Sequence, residues 1–219
     1  MKPLIIAIDG PSGAGKGTLA RAVAERLHYR HVDTGAMYRA VAWKALRDGL
    51  DIDDEGVIAV LAGEAALDQA GGAITIDGHD VTRAIRNPDM DKAAARVARL
   101  PAVRQVLVAR QRALGADGGV VMEGRDIGTV VFPDADVKIY LDASAEERAR
   151  RRAGDSAHTR SGATLEGVQS ELAARDQSDT TRAVAPLTLA PGAIYIDTTG
   201  MPIAEVVEKV MGIVDGVSK

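Results

Sequence analysis

The residues best suited to chemistry in this chain lie between positions 10 and 18. Gly10-Pro11-Ser12-Gly13-Ala14-Gly15-Lys16-Gly17-Thr18 follows the apolar run Leu4-Ile5-Ile6-Ala7-Ile8-Asp9 and precedes a helix-favouring stretch from Leu19 to Leu27. Strand, glycine-rich turn and helix in that order are the setting of a phosphate-binding P-loop. The glycines let the backbone curl so that successive N–H groups face phosphate oxygens. The helix adds the positive end of its dipole, and Lys16 brings a mobile point charge for the outer phosphates. An ordinary glycine-rich turn explains the glycines but leaves the strand, lysine and helix as coincidence. One position departs from the general pattern. The residue after the lysine is Gly17, where a Ser or Thr hydroxyl usually meets magnesium, and Thr18 is displaced by one, which argues against a direct hydroxyl–metal bond.

Other chemically suggestive groups are spread along the chain. Thr34, in Asp33-Thr34-Gly35, is placed as the N-cap of a helix from Ala36 to Trp43. Arg39 then lies a little over one turn in, able to return to an anion at the helix start. Glu123 ends the apolar strand Gly119-Val120-Val121-Met122, where P-loop proteins keep the acid that holds magnesium, usually through water; a salt-bridged loop is the competing account. Arg148, Arg151 and Arg152 share one helix face. On the residues alone they equally describe a solvated face balanced by Glu146 and Glu147.

The elements that must position these groups alternate. Strands are expected at 4–9, 29–32, 119–123, 137–142 and 193–197. Helices are expected from 19, 36, about 54 to 67, 88, 103, 145, 165 and from Pro202 to about 213, with Pro101 ending the helix that Pro88 opens and Ser144 and Thr164 as caps. Ala73 to Val81 alternates around Asp77-Gly78 and breaks the rhythm, a hairpin in an inserted lobe. Residues 154–162 are small and polar, the composition of a mobile loop. The expected fold is α/β: a P-loop NTPase core with a five-stranded parallel sheet covered by helices on both faces. Ligands bind beyond the carboxyl ends of such strands, and every suggestive cluster lies at that end.

Composition narrows the function classes. The 219 residues are 46% hydrophobic and 26% charged, and the net charge of −4 argues against an electrostatic grip on long nucleic acid. Arginine outnumbers lysine 20 to 7, which suits bidentate phosphate binding but also follows from a GC-rich coding sequence. There is no cysteine, and His28, His31, His79 and His158 lack zinc-site spacing. The N-terminal apolar run is too short for a signal peptide, and no stretch nears the ~20 apolar residues of a membrane span. A soluble cytoplasmic protein is expected. A phosphate cradle, a metal carboxylate and mobile arginines describe phosphoryl transfer. The other class that fits is a nucleotide-dependent switch or binding module. Asp197-Thr198-Thr199-Gly200 has a GTPase-switch spacing, but no Asn-Lys-x-Asp guanine-reading element occurs, which favours a kinase.

Four segments carry a resemblance: residues 10–18; Asp33-Thr34-Gly35-Ala36-Met37-Tyr38-Arg39; Glu123-Gly124-Arg125-Asp126-Ile127-Gly128-Thr129-Val130-Val131-Phe132-Pro133-Asp134; and Arg182-Ala183-Val184-Ala185-Pro186-Leu187. They resemble the bacterial cytidylate kinases over essentially the whole chain. In nucleoside monophosphate kinases the loop reads Gly-Lys-Gly-Thr, so Gly17 fits that family. The resemblance implies transfer of the ATP γ-phosphate to CMP or dCMP with Mg2+, by a single-domain enzyme; a monomer is expected. Another small-molecule or nucleoside monophosphate kinase, of the UMP/CMP type, is the alternative, ahead of the nucleotide-binding switch module. It also implies an acceptor lobe at about 36–100, carrying the hairpin at 73–81, and a lid at about 152–163. Gly10 to Thr18 would hold ATP. Thr34, Arg39, Arg125 and Arg182 would hold the acceptor phosphate, Arg104 and Asp126 would read the cytosine, and Arg175 and Asp179 the ribose. Lys16, Arg125, Arg182, Arg148, Arg151 and Arg152 would neutralise the transferring charge, the last three closing with the lid. Ala95 stands where some members place a base-binding serine.

Overall fold

The apolar strands pair as their composition requires. In a computed structural model that describes residues 3–155 and 163–217, β1 (Ile5–Asp9), β2 (Arg30–Asp33), β6 (Val120–Gly124), β7 (Val137–Asp142) and β8 (Ile194–Asp197) form one sheet in the order β2-β6-β1-β7-β8. Every pairing is parallel. Period-two alternation splits the core between the two faces. Ile6, Ile8 and Val121 pack with Leu19 and Val23 of α1 (Lys16–Leu27) and Val210 of α8 (Ile203–Val217). Ala7, Val32 and Met122 pack on the opposite face with Met37 and Val41 of α2 (Thr34–Arg47) and Leu107 of α5 (Pro101–Leu114).

Register explains why the chemical groups converge. Asp33 pairs with Glu123, Asp9 with Gly124 and with Tyr140, and Asp142 with Asp197, so all five strands end within about two residues of one another at one edge. The turn after β6 continues into a π-helical turn at Ile127–Val131, a geometry concentrated at functional sites. Sequence periodicity does not announce it.

The inserted part differs from expectation in one element. The helix expected over 54–67 is α3 (Glu55–Glu64), and Leu67–Ala70 is instead a strand, β3. It pairs antiparallel with β4 (Ala73–Ile76), which pairs with β5 (His79–Asp80), so the hairpin at 73–81 belongs to a three-stranded sheet. Asp68 and Gln69 are poor strand formers, and pairing with the β-branched β4 decides their conformation. Ile74, Ile76, Val81 and Ile85 bury a small core beneath this sheet. The other elements are α4 (Pro88–Val97), α6 (Ala145–Ala153) and α7 (Leu165–Thr181), with Ser144 and Thr164 capping the last two as their sequences predict. Pro101 opens α5 at its first turn, two residues ahead of the expected start, and α8 runs on to Val217. The cap of α2 is Asp33, whose side chain accepts from the Ala36 N–H; Thr34 is the first helical residue. Within the expected lid, 156–162 lie outside the described residues.

Candidate active site

The P-loop is built by close approach. Gly10 has φ +148°, and a Cβ there would lie 1.9 Å from the Leu141 carbonyl oxygen, so only glycine passes. Gly15 is the N-cap of α1, with no side-chain hydrogen bond to the first N–H groups, leaving them to an anion. Lys16 is buried and donates to the Pro11 carbonyl at 2.8 Å. Burial first, and then the Arg125 charge, push its ammonium down to about 7.

Gly17 has a structural reason. A Cβ there would lie 3.0 Å from Glu123 Oε1. The Glu123 carboxylate therefore occupies the space a side chain after the lysine would need. It is buried, with Oε1 3.2 Å from His31 Nε2. Glu123 is a hard oxygen donor of the kind that suits Mg2+, which keeps most of its waters and takes one or two carboxylates plus phosphate. Among the described residues no group of three or more His, Cys, Asp or Glu could hold a metal. The site thus fits an ion held by one carboxylate, water and nucleotide, not by a protein cage.

Across the P-loop, arginines and carboxylates interlock. Arg39 turns back along α2 and donates to Asp33 Oδ2 at 2.9 Å, the return its helix position predicts. Arg125 Nε donates to Asp179 at 2.8 Å. Arg104 is buried against Asp126, and Arg182 lies 3.6 Å from the other Asp126 oxygen. Arg175 reaches Asp91 at 3.2 Å and stands 4.0 Å from Asp179. Thr34 is buried, its hydroxyl donating to the Glu123 carbonyl at 2.8 Å. Arg39, Arg125, Arg175 and Asp179 are thus linked in one ion-pair chain through Asp91, and Arg104 and Arg182 share Asp126. Ala95 lines a neighbouring cavity with Asp91, Arg152 and Arg175.

The three arginines of α6 do not act as one face. Arg148 donates to the Ser12 carbonyl at 3.2 Å and to Asp176 at 2.6 Å. Arg151 meets Glu147 at 2.8 Å and the Ala14 carbonyl at 3.3 Å. Arg152 pairs with Asp91 on α4. The solvated reading of this run is set aside by these contacts, because Arg148 is buried and all three make ion pairs.

Burial and crowding leave several guanidinium N–H groups without a hydrogen bond among the described residues, although their charges face carboxylates. Burial and then Arg125 push the Arg175 guanidinium down; burial and then Arg104 do the same to Arg182. Arg39 Nε, Arg175 Nε and Arg182 Nη2 are buried and make no hydrogen bond within the described residues. Buried donors normally find acceptors, and oxygens of a bound anion would supply them.

Three acids are missed by residue-level reading. Asp9 accepts from the N–H groups of Ile127 and Gly128 at 2.8 and 2.7 Å, clamping the turn that carries Arg125 and Asp126. Burial pushes its carboxyl up to about 6. Its signal was available, since it ends an apolar strand as Glu123 does. Asp91 and Asp176 carry none, because their arginine partners are distant in sequence.

A phosphate cradle at the carboxyl edge of a parallel sheet, faced by interlocked arginines, defines a P-loop phosphotransferase. The fold is similar to shikimate kinase from Bacteroides thetaiotaomicron, at 13% identity and a TM-score of 0.53 over 97% of this chain and 98% of that one. Residues 6–216 match the cytidylate kinase family, and the chain belongs to it. It is 48% identical to the cytidylate kinase of Solibacter usitatus over 97% of this chain and 93% of that protein. It is 49% identical to that of Geobacillus kaustophilus over 96% of both. No helix among the described residues is long and apolar enough to cross a membrane.

Proposed function

We propose that this chain transfers the γ-phosphate of ATP to CMP or dCMP, giving ADP and the diphosphate. The observation that carries the reading is the set of buried guanidinium donors without acceptors on Arg39, Arg175 and Arg182, opposite a P-loop. One phosphate site holds the donor, and the arginine cluster holds an anionic acceptor.

The acceptor phosphate is already an anion, so the chain has no proton to remove and catalysis rests on placement and charge. The P-loop N–H groups and Lys16 hold the donor phosphates, Lys16 leaving the Pro11 carbonyl for them. Arg39, Arg125 and Arg182, with Thr34 beneath them, hold the acceptor phosphate in line. Arg104 and Asp126 read the base, and Arg175 and Asp179 the ribose. Mg2+ held through Glu123 supplies further neutralisation of the phosphate oxygens when bound. Arg148, Arg151 and Arg152 add positive charge from α6. Residues about 36–100 form the acceptor lobe.

The test is ADP release with CMP, dCMP, UMP, AMP and shikimate as acceptors, on the natural chain and on Arg39→Ala. CMP and dCMP should support turnover well above the rest, and Arg39→Ala should raise the KM for CMP tenfold or more while sparing the KM for ATP. No acceleration by any acceptor would return the chain to the nucleotide-binding-module class.

A further inference from the structure

The Asp197-Thr198-Thr199-Gly200 turn has a switch-like spacing that phosphoryl transfer leaves without a task. Thr198 lies there at the carboxyl edge of the sheet, 2% exposed. Its hydroxyl is 2.9 Å from Arg151 Nη1 and 2.9 Å from the Asp142 carbonyl. A guanidinium N–H can only donate, so the hydroxyl accepts from Arg151 and gives its own proton to Asp142. The Thr198 N–H also donates to the Asp142 carbonyl at 2.8 Å, fixing the turn to the end of β7. The Thr198 carbonyl accepts from Arg151 Nη2 at 2.7 Å.

The remaining Arg151 bonds run to Glu147, one turn back on α6, and to the Ala14 carbonyl of the P-loop. Arg151 Nη1 stands 3.7 Å from where a Cβ on Gly15 would be. All these partners belong to the donor side. They border a cavity of about 300 Å³ whose walls include Gly15, Thr18, Arg151, Thr198 and Met201. Arg152, by contrast, reaches across to the acceptor side at Asp91.

We propose that Thr198 is a positioning residue that holds Arg151 against the donor cavity before any closure, so that Arg151 works as part of the P-loop and not as a lid group. The proposal rests on the kinase reading. A threonine suits the task because one hydroxyl accepts from the arginine and donates to β7, while the branched Cβ restricts its rotamer. Fixing a guanidinium in advance removes an ordering cost when nucleotide arrives.

The test compares Thr198→Val, which keeps the shape, with Thr198→Ser, which keeps the hydroxyl. In steady-state ADP release, Thr198→Val should raise the KM for ATP about tenfold, leave the KM for CMP within about twofold, and lower kcat severalfold. Thr198→Ser should restore all three to within about threefold. An unchanged KM for ATP, an equal rise in both KM values, or a serine variant as impaired as the valine one would overturn the proposal. Should the natural chain turn over no acceptor, the kinase reading falls by itself. ATP binding by calorimetry then decides Thr198: an about tenfold weakening in Thr198→Val sustains its role, and equal affinity ends it.

Discussion

Gly17 is the position where stability and activity should part company. The residue sits in the first turn of α1, and its substitution by alanine favours the helix by up to about 1 kcal/mol. The added methyl, however, would stand 3.0 Å from Glu123 Oε1. A relaxed contact needs roughly 3.5 Å, so the carboxylate must retreat by about 0.5 Å. Glu123 is buried with its Oε1 against His31, and stretching that contact costs on the order of 1 kcal/mol. The two effects cancel, leaving stability nearly unchanged. Catalysis has no such offset. A misplacement of about 1 Å can cost ~100-fold, so half of that should lower kcat roughly tenfold. The magnesium concentration for half-maximal rate should rise with it. Urea unfolding and ADP release at graded magnesium measure the two sides. A variant with kcat within twofold of the natural chain and an unchanged magnesium requirement would refute the assignment of Glu123. The same contact explains why a serine after the lysine, common in other P-loops, has no room here.

Lys16, held near pKa 7 by burial and Arg125, should regain its full charge against a triphosphate. ATP binding at pH 8 should therefore take up most of one proton, falling towards none at pH 6, as calorimetry in buffers of different ionisation enthalpy would show; Lys16→Ala should abolish the uptake. Because the folded pKa lies below the unfolded 10.5, Lys16 weakens the fold most below pH 7, and this loss is relieved as pH rises from 7 to 10.5. Gly10→Ala should cost roughly 3 kcal/mol or more, since its methyl meets the Leu141 carbonyl at 1.9 Å on a φ of +148°; a midpoint close to that of the natural chain in urea unfolding would contradict that geometry.

Much of this site is legible in the sequence because its parts end strands. Lys16 opens the helix after β1, Asp33 closes β2, Glu123 is next to last in β6, and parallel pairing brings strand ends to one edge without further information. The return of Arg39 to the start of its helix is likewise local geometry. What stays hidden depends on tertiary choice. Leu67–Ala70 could serve helix or strand until β4 lies beside it. Thr34 and Asp33 are both good caps, and the preference for Asp33 follows from Thr34 bonding across to β6. Asp91 is one more acid on a polar helix until Arg39, Arg152 and Arg175 arrive from three other helices. No spacing rule links residues brought together only by the finished fold.

That pairing of arginines with aspartates gives the cleft its own resident counter-ions. Asp33, Asp91, Asp126, Asp176 and Asp179 already face Arg39, Arg152, Arg104, Arg148 and Arg125. On the proposed function, nucleotide entry is largely an ion exchange, in which a phosphate outcompetes tethered carboxylates for the paired guanidinium groups and takes up the donors on Arg39, Arg175 and Arg182 that have no hydrogen bond among the described residues. A small free anion pays that displacement with few compensating contacts, whereas a nucleotide brings base and ribose contacts as well. On that reading, the tethered carboxylates would keep this strongly cationic set of side chains from filling with inorganic phosphate.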